Sequence, residues 1–218
     1  MLNELFGTKM KSTLVDAAFR DVSDMLRQSE RMLSLALEAV LENKELEVNL
    51  DQMDDTVDEG ERMVRRTILE HLAVNPRQDL VSSLVLVSMV QDAERIGDFA
   101  SGLIELLGMA KGPREGRFAA ELRALANQLR PLFEITEAAF REDDVDRAKQ
   151  VITAYHRLRG ELKVYRERVA DSDLSADMAL VYAGSAQILR RVGAHLCNIA
   201  STVVQPYDRM RHGDEEVL

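Results

Sequence analysis

Two pairs of carboxylates stand out in the chain, each pair four residues apart: Asp54 and Asp58, then Glu94 and Asp98. Residues four apart stand one turn above each other on the same face of a helix. Two like charges so placed repel and mildly destabilise that helix. A cation bound between them would relieve the repulsion. Asp51, Asp55, Glu59 and Glu61 surround the first pair. Oxygen donors with no neighbouring His or Cys suit Mg, Ca, Mn or iron better than a structural zinc. The plain alternative is a solvated acidic face on a protein whose formal charge is −10.

The chain contains its own control. Glu94-Arg95-Ile96-Gly97-Asp98 has a worn copy in Arg190-Arg191-Val192-Gly193-Ala194, 96 positions on. The same shift lays Leu86, Met89, Ala93, Ile96, Ala100, Leu103 and Leu107 over Tyr182, Ser185, Leu189, Val192, Leu196, Ile199 and Val203. Both sets recur every three or four residues, the period of a buried helical stripe. A shift of 101 lays Asp54 over Tyr155 and Asp58 over Arg159. Both acidic pairs are therefore lost together in the second half, which suggests one shared site in the first. Glu94 and Asp98 each lie two residues from Ile96, which predicts that they face away from the core.

Six helices must carry these residues. The first is expected from about Met10 to Glu42, with Val22, Leu26, Ser29, Leu33, Ala36 and Val40 as its stripe. The second holds Leu50, Met53, Val57, Val64 and Ile68. Asn75-Pro76, with Gln78 completing a capping box, is expected to start the third, which runs to Leu107. Ala110 to Gly116 reads as a linker rich in helix breakers. The fourth helix holds Phe118, Leu122, Leu125, Leu129, Phe133 and Phe140, and Pro131 should kink or break it. The fifth holds Val151, Leu158, Leu162, Tyr165 and Val169. Ser172 to Ser175 should cap the sixth, which reaches Val204. The fold expected is all-α, two tandem three-helix bundles related by an internal repeat. The first spans 1–110, a linker 111–116, the second 117–206, and a loose tail 207–218.

Composition agrees with this plan. Gly and Pro together number only 15, too few for a turn-rich β fold, and apolar residues at 46% can fill a sizeable core. The acidic balance argues against a nucleic-acid surface. No apolar run is long enough to cross a bilayer. The start lacks the apolar centre of a secretion signal. The single cysteine, Cys197, allows no internal disulfide and fits a reducing cytosol. None of His71, His156, His195 and His212 supplies the Glu-x-x-His spacing of di-iron bundles, which weakens a carboxylate-enzyme reading. His195 is expected to be a partly buried helix residue. Arg95 and Arg191 persist in both halves where the acids do not, which favours a structural role, such as bridging to a neighbouring helix's carboxylate.

The string Asp92-Ala93-Glu94-Arg95-Ile96-Gly97-Asp98, with Asp54-Asp55-Thr56-Val57-Asp58 before it, resembles the hallmark of the PhoU family of phosphate-signalling regulators. The resemblance runs from about Leu14 to Val204. It implies two tandem three-helix bundles and a non-enzymatic, cytoplasmic regulator of phosphate uptake. It further implies docking to the ATPase of a phosphate ABC transporter and to a phosphate-responsive sensor kinase. Asp54, Asp58, Glu94 and Asp98 would then be ligands to a divalent or ferric ion (iron, Mn, Mg or Zn) in the first bundle only. Tyr155, Arg159, Arg190 and Ala194 depart from the family pattern and could form no carboxylate cage in the second. The resemblance also implies a homodimer. The alternatives are a divalent-metal carboxylate enzyme and a non-catalytic helical scaffold.

Overall fold

The computed structural model describes residues 13–77 and 79–205. Among them every regular element is helical: α1 (Thr13–Glu42), α2 (Leu50–Val74), α3 (Leu80–Leu107), α4 (Gly116–Leu129), α5 (Pro131–Glu142), α6 (Val145–Ala170) and α7 (Ala176–Val204). The expected six helices are present, with the fourth divided at Pro131 into α4 and α5. Arg130 keeps right-handed helical angles, so the chain bends there without turning back. Proline offers no N–H to the carbonyl four residues earlier, which is the reason for the break. The expected tail at 207–218, the capping role of Gln78 and the start of α1 before Thr13 lie outside the described residues.

The repeat appears directly in the helix limits. α3 begins at Leu80 and α7 at Ala176, 96 residues apart. Of the matched stripe residues, Leu107 is partly buried and all the others are buried. The α1 stripe from Val22 to Val40 is likewise buried. Each such Leu, Ile or Val contributes about 1.5–3 kcal/mol by leaving water. Ser29 is the polar member of that stripe, and its hydroxyl donates to the Ala93 carbonyl of α3 at 3.0 Å.

α1, α2 and α3 form one bundle, and α4 to α7 the other. The two are joined along a seam between α3 and α7, with α1 also touching α4 and α5. Within the seam the buried Asp92 of α3 accepts from Asn198 of α7 at 3.2 Å and lies 2.7 Å from His195 Nδ1. The His195 ring packs on Phe99, and the Arg191 guanidinium stands 4.5 Å over the same Phe99 ring. Arg191 therefore reaches the neighbouring helix, but at an aromatic face in place of the expected carboxylate. Arg95 does not, because it pairs with acids of its own helix.

The linker is tied down by its one arginine. α1 has no basic residue in its last turn, so its terminal carbonyls need donors from elsewhere. Arg114 supplies them to Ala39 and Val40, both at 2.9 Å, and Arg123 of α4 donates to Leu41 at 2.6 Å. Cations at a helix C-terminus also complement its dipole.

One boundary differs from expectation. α3 starts at Leu80, not at Asn75-Pro76. The Asn75 N–H instead closes the last turn of α2 on His71 O at 2.9 Å. Asp79, in the left-handed region at φ 56°, then turns the chain into α3. The same Asn-Pro signal serves a helix end or a helix start, and here the end prevails.

Candidate metal site

α2 is fixed at its start by Asn49, whose side chain accepts from the Asp51 and Gln52 N–H groups at 3.0 and 3.3 Å. From that cap the helix places Asp54 and Asp58 along the edge that meets α3. α3 places Glu94 and Asp98 on the matching edge, one on each side of Gly97.

Gly97 allows the close approach. A Cβ at this position would stand 3.1 Å from Asp54 Oδ1 and 3.6 Å from Val57. The Asp54 carboxylate thus occupies space that any other residue at 97 would contest. A mid-helix glycine weakens its helix by about 1 kcal/mol relative to Ala, and here the room it leaves is taken by that carboxylate.

The carboxylates feel one another. Burial first, then the charges of Asp98 and Asp58, raise the Asp54 carboxyl above its ordinary value of 3.8. Burial first, then Asp98, push Glu94 up to about 6, with Glu61 and Asp58 adding to it and Arg95 opposing it. Both shifts reflect desolvation and like-charge repulsion. Glu94 is only 16% exposed and Asp98 36%. The expectation that the pair faces away from the core therefore needs correction. α3 is covered by α1, α2 and α7 together, so its buried arc is wider than one stripe and includes Asp92, Ala93, Ile96 and Gly97. Glu94 and Asp98 lie at the margin of that arc, in the seam with α2.

Arginines hold the seam as it stands. Arg95 lies 2.9 Å from Asp98 and 3.5 Å from Glu94, while Arg62 lies 3.3 Å from Asp58. Among the described residues, no three His, Cys, Asp or Glu side chains are gathered closely enough to hold a metal ion in their present rotamers. The donor set nonetheless suits a hard cation. Four carboxylates on two facing helix edges repel one another, and Asp54 is cradled against bare backbone. The Ser101 Oγ near Asp54 is buried and makes no hydrogen bond of good geometry. A cation has to draw Asp58 and Asp98 away from Arg62 and Arg95.

In the second bundle the equivalent positions read differently. Tyr155 is buried, and its ring fills the space beside Gly193, where a Cβ would stand 2.7 Å from Cδ2. Arg159 is exposed, while Arg190 and Ala194 are half-buried. No carboxylate replaces those of the first bundle at these positions. Glu61, one of the acids that surround the first pair in the sequence, adds to the negative field at Glu94, a reach across helices that spacing alone does not give. Nor does spacing give the Asp92–His195 contact, which joins helices 103 residues apart in the chain.

Comparison with known proteins agrees with this division. Residues 22–107, the first bundle, match the PhoU domain family. The chain is 28% identical over 193 residues to the phosphate-specific transport system accessory protein PhoU homolog 1 of Thermotoga maritima, covering 84% of this chain and 83% of the relative. It is 26% identical to the PhoU homolog of Deinococcus radiodurans, with 86% and 91% covered. In fold it is similar to the crystal structure of PhoU from Pseudomonas aeruginosa, with a TM-score of 0.77 at 23% identity over 88% of this chain and 95% of that one. It is also similar to the phosphate transport system regulatory protein PhoU of Streptococcus pneumoniae, with a TM-score of 0.79 at 17% identity over 94% and 98%. The first bundle thus carries a match to the PhoU domain family, and most of the chain's length is similar to PhoU homologues.

Proposed function

We propose that this protein is a cytoplasmic, non-enzymatic regulator of phosphate uptake and of the response to phosphate starvation. The observation that carries this reading is the match, over more than four-fifths of both chains, to proteins named as accessory to phosphate-specific transport. The protein acts by docking to the transporter's ATPase and to a phosphate-responsive sensor kinase, and it works as a homodimer. No helix among the described residues is long and apolar enough to cross a membrane, so association with the transporter is peripheral in this reading. Asp54, Asp58, Glu94 and Asp98 would hold a divalent or ferric ion, whose charge would lock α2 to α3 along the seam. The test is orthophosphate uptake in phosphate-replete cells lacking the protein. The reading expects uptake to remain high where the intact strain represses it. Equal uptake in the two strains, replete and starved, would sink it.

A further inference from the structure

α6 and α7 border an open groove of about 490 Å³, lined by His156, Arg159, Gly160, Lys163, Arg166 and Arg190. In the repeat, Arg159 and Arg190 stand where the first bundle has Asp58 and Glu94. The groove is thus the acidic seam's counterpart with its charge inverted, and among the described residues no carboxylate lines it. Arg166 Nη1 and Arg190 Nε both donate to the Gln187 Oε1, at 2.6 and 3.2 Å. One neutral amide oxygen so holds two guanidinium groups side by side and brings no countercharge. Lys163 has an acid nearby, Glu167, at 3.9 Å on the exposed side of α6. Like charges gathered in this way repel, more strongly in a concave site than on a flat one.

Gly160 is the second observation. Gly97 and Gly193 both have a close neighbour to explain them. A Cβ at Gly160 would meet nothing within 4 Å. A helix-interior glycine weakens the helix, and here no packing compensates for it. What the glycine leaves is bare helix backbone on the groove wall, where a bound group can approach closely.

We infer that this groove binds a small, multiply charged phosphorylated anion of the pyrophosphate or nucleoside polyphosphate class. Guanidinium forks match phosphoryl oxygens in geometry as well as charge. The volume falls within the roughly 300–1,000 Å³ typical of small-molecule sites and exceeds the need of a single orthophosphate. The net charge of −10 repels a long polyanion such as nucleic acid, so a compact ligand is favoured. This site is separate from the metal seam and does not depend on the regulatory reading.

Calorimetric titration of the full chain with inorganic pyrophosphate tests it, with orthophosphate, citrate and anionic phospholipid vesicles as parallel arms. Pyrophosphate is expected to bind with a Kd below about 1 mM at physiological salt, more tightly than orthophosphate or citrate. The double variant R159Q/R190Q should weaken it by about tenfold or more, from the loss of two charge-assisted contacts. Gly160→Leu places a side chain in the groove and improves helix propensity, so binding should fall while the melting temperature holds or rises. Four outcomes overturn the inference. They are no pyrophosphate binding up to about 1 mM, affinity unchanged in folded R159Q/R190Q or Gly160→Leu, citrate binding as tightly as pyrophosphate, and binding to vesicles but not to free pyrophosphate.

Discussion

The space beside Gly97 is entered by the carboxylate of Asp54, and the space beside Gly193 by the ring of Tyr155. In both bundles a side chain of the neighbouring helix lies against the glycine, and the chemistry placed there is opposite. A buried tyrosine ring contributes packing. A desolvated carboxylate contributes repulsion that a ligand can remove. The repeat therefore supplies a frame of apolar stripes and glycine gaps, and each half has put that frame to its own use.

The largest effect should come from emptying the two gaps. Tyr155→Ala removes a buried aromatic and should cost about 3 kcal/mol or more in stability. Asp54→Ala, in metal-free protein, should cost nothing or stabilise, because burial and Asp98 already disfavour its charged form. Denaturant melts of the two variants measure the contrast. Equal losses would mean that Asp54 is a packing residue like its counterpart.

Filling the gaps gives the next contrast. Gly193→Ala gains about 1 kcal/mol of helix propensity but drives a Cβ into a buried ring, an overpacking cost of about 1–3 kcal/mol. The net should be a loss. At Gly97 the obstacle is a carboxylate that can swing away, so Gly97→Ala should be neutral or gain up to about 1 kcal/mol. If Gly97→Ala is the more damaging, the Asp54 side chain is held as rigidly as the Tyr155 ring.

A smaller effect concerns pH. In the folded protein Glu94 titrates at about 6, above its ordinary value of 4.5. The folded state thus holds this proton more tightly than the unfolded state. The resulting stability is full below pH 4.5 and is lost as pH rises through about 6. The loss should be about 1–2 kcal/mol. Chelator-treated protein should therefore lose stability between pH 5 and pH 7.5 relative to Glu94→Gln, in which the group cannot ionise. Parallel pH profiles for the two proteins would mean that the Glu94 carboxyl is not desolvated in the seam.

The helices were legible because apolar residues at a period near 3.6 record burial directly, as in Leu86 to Leu103 and its copy. Even the Pro131 break followed from one missing N–H. The start of α3 was not legible, since Asn75-Pro76 satisfies the chemistry of both a helix end and a helix start. The four site carboxylates were found by spacing, yet their surroundings were misjudged. Distance from Ile96 along one helix cannot reveal that α1, α2 and α7 all close around α3. The Asp92–His195 contact depends on which helices meet across the bundles, and no local pattern records it. The repeat marked Arg159 and Arg190 as counterparts of Asp58 and Glu94, but the groove they share with Lys163 and Arg166 depends on the packing of α6 on α7.

The proposed seam for a hard cation lies in the first bundle alone. Elemental analysis after exposure to Mg, Mn, Zn and iron tests it most directly, comparing the native chain, an E94A/D98A double variant and Tyr155→Phe. Bound metal is expected in the native chain and in Tyr155→Phe, and none in the folded double variant. Metal retained in E94A/D98A, or absent from the native chain under every loading, would contradict it and leave the seam as a desolvated acidic edge held by Arg62 and Arg95.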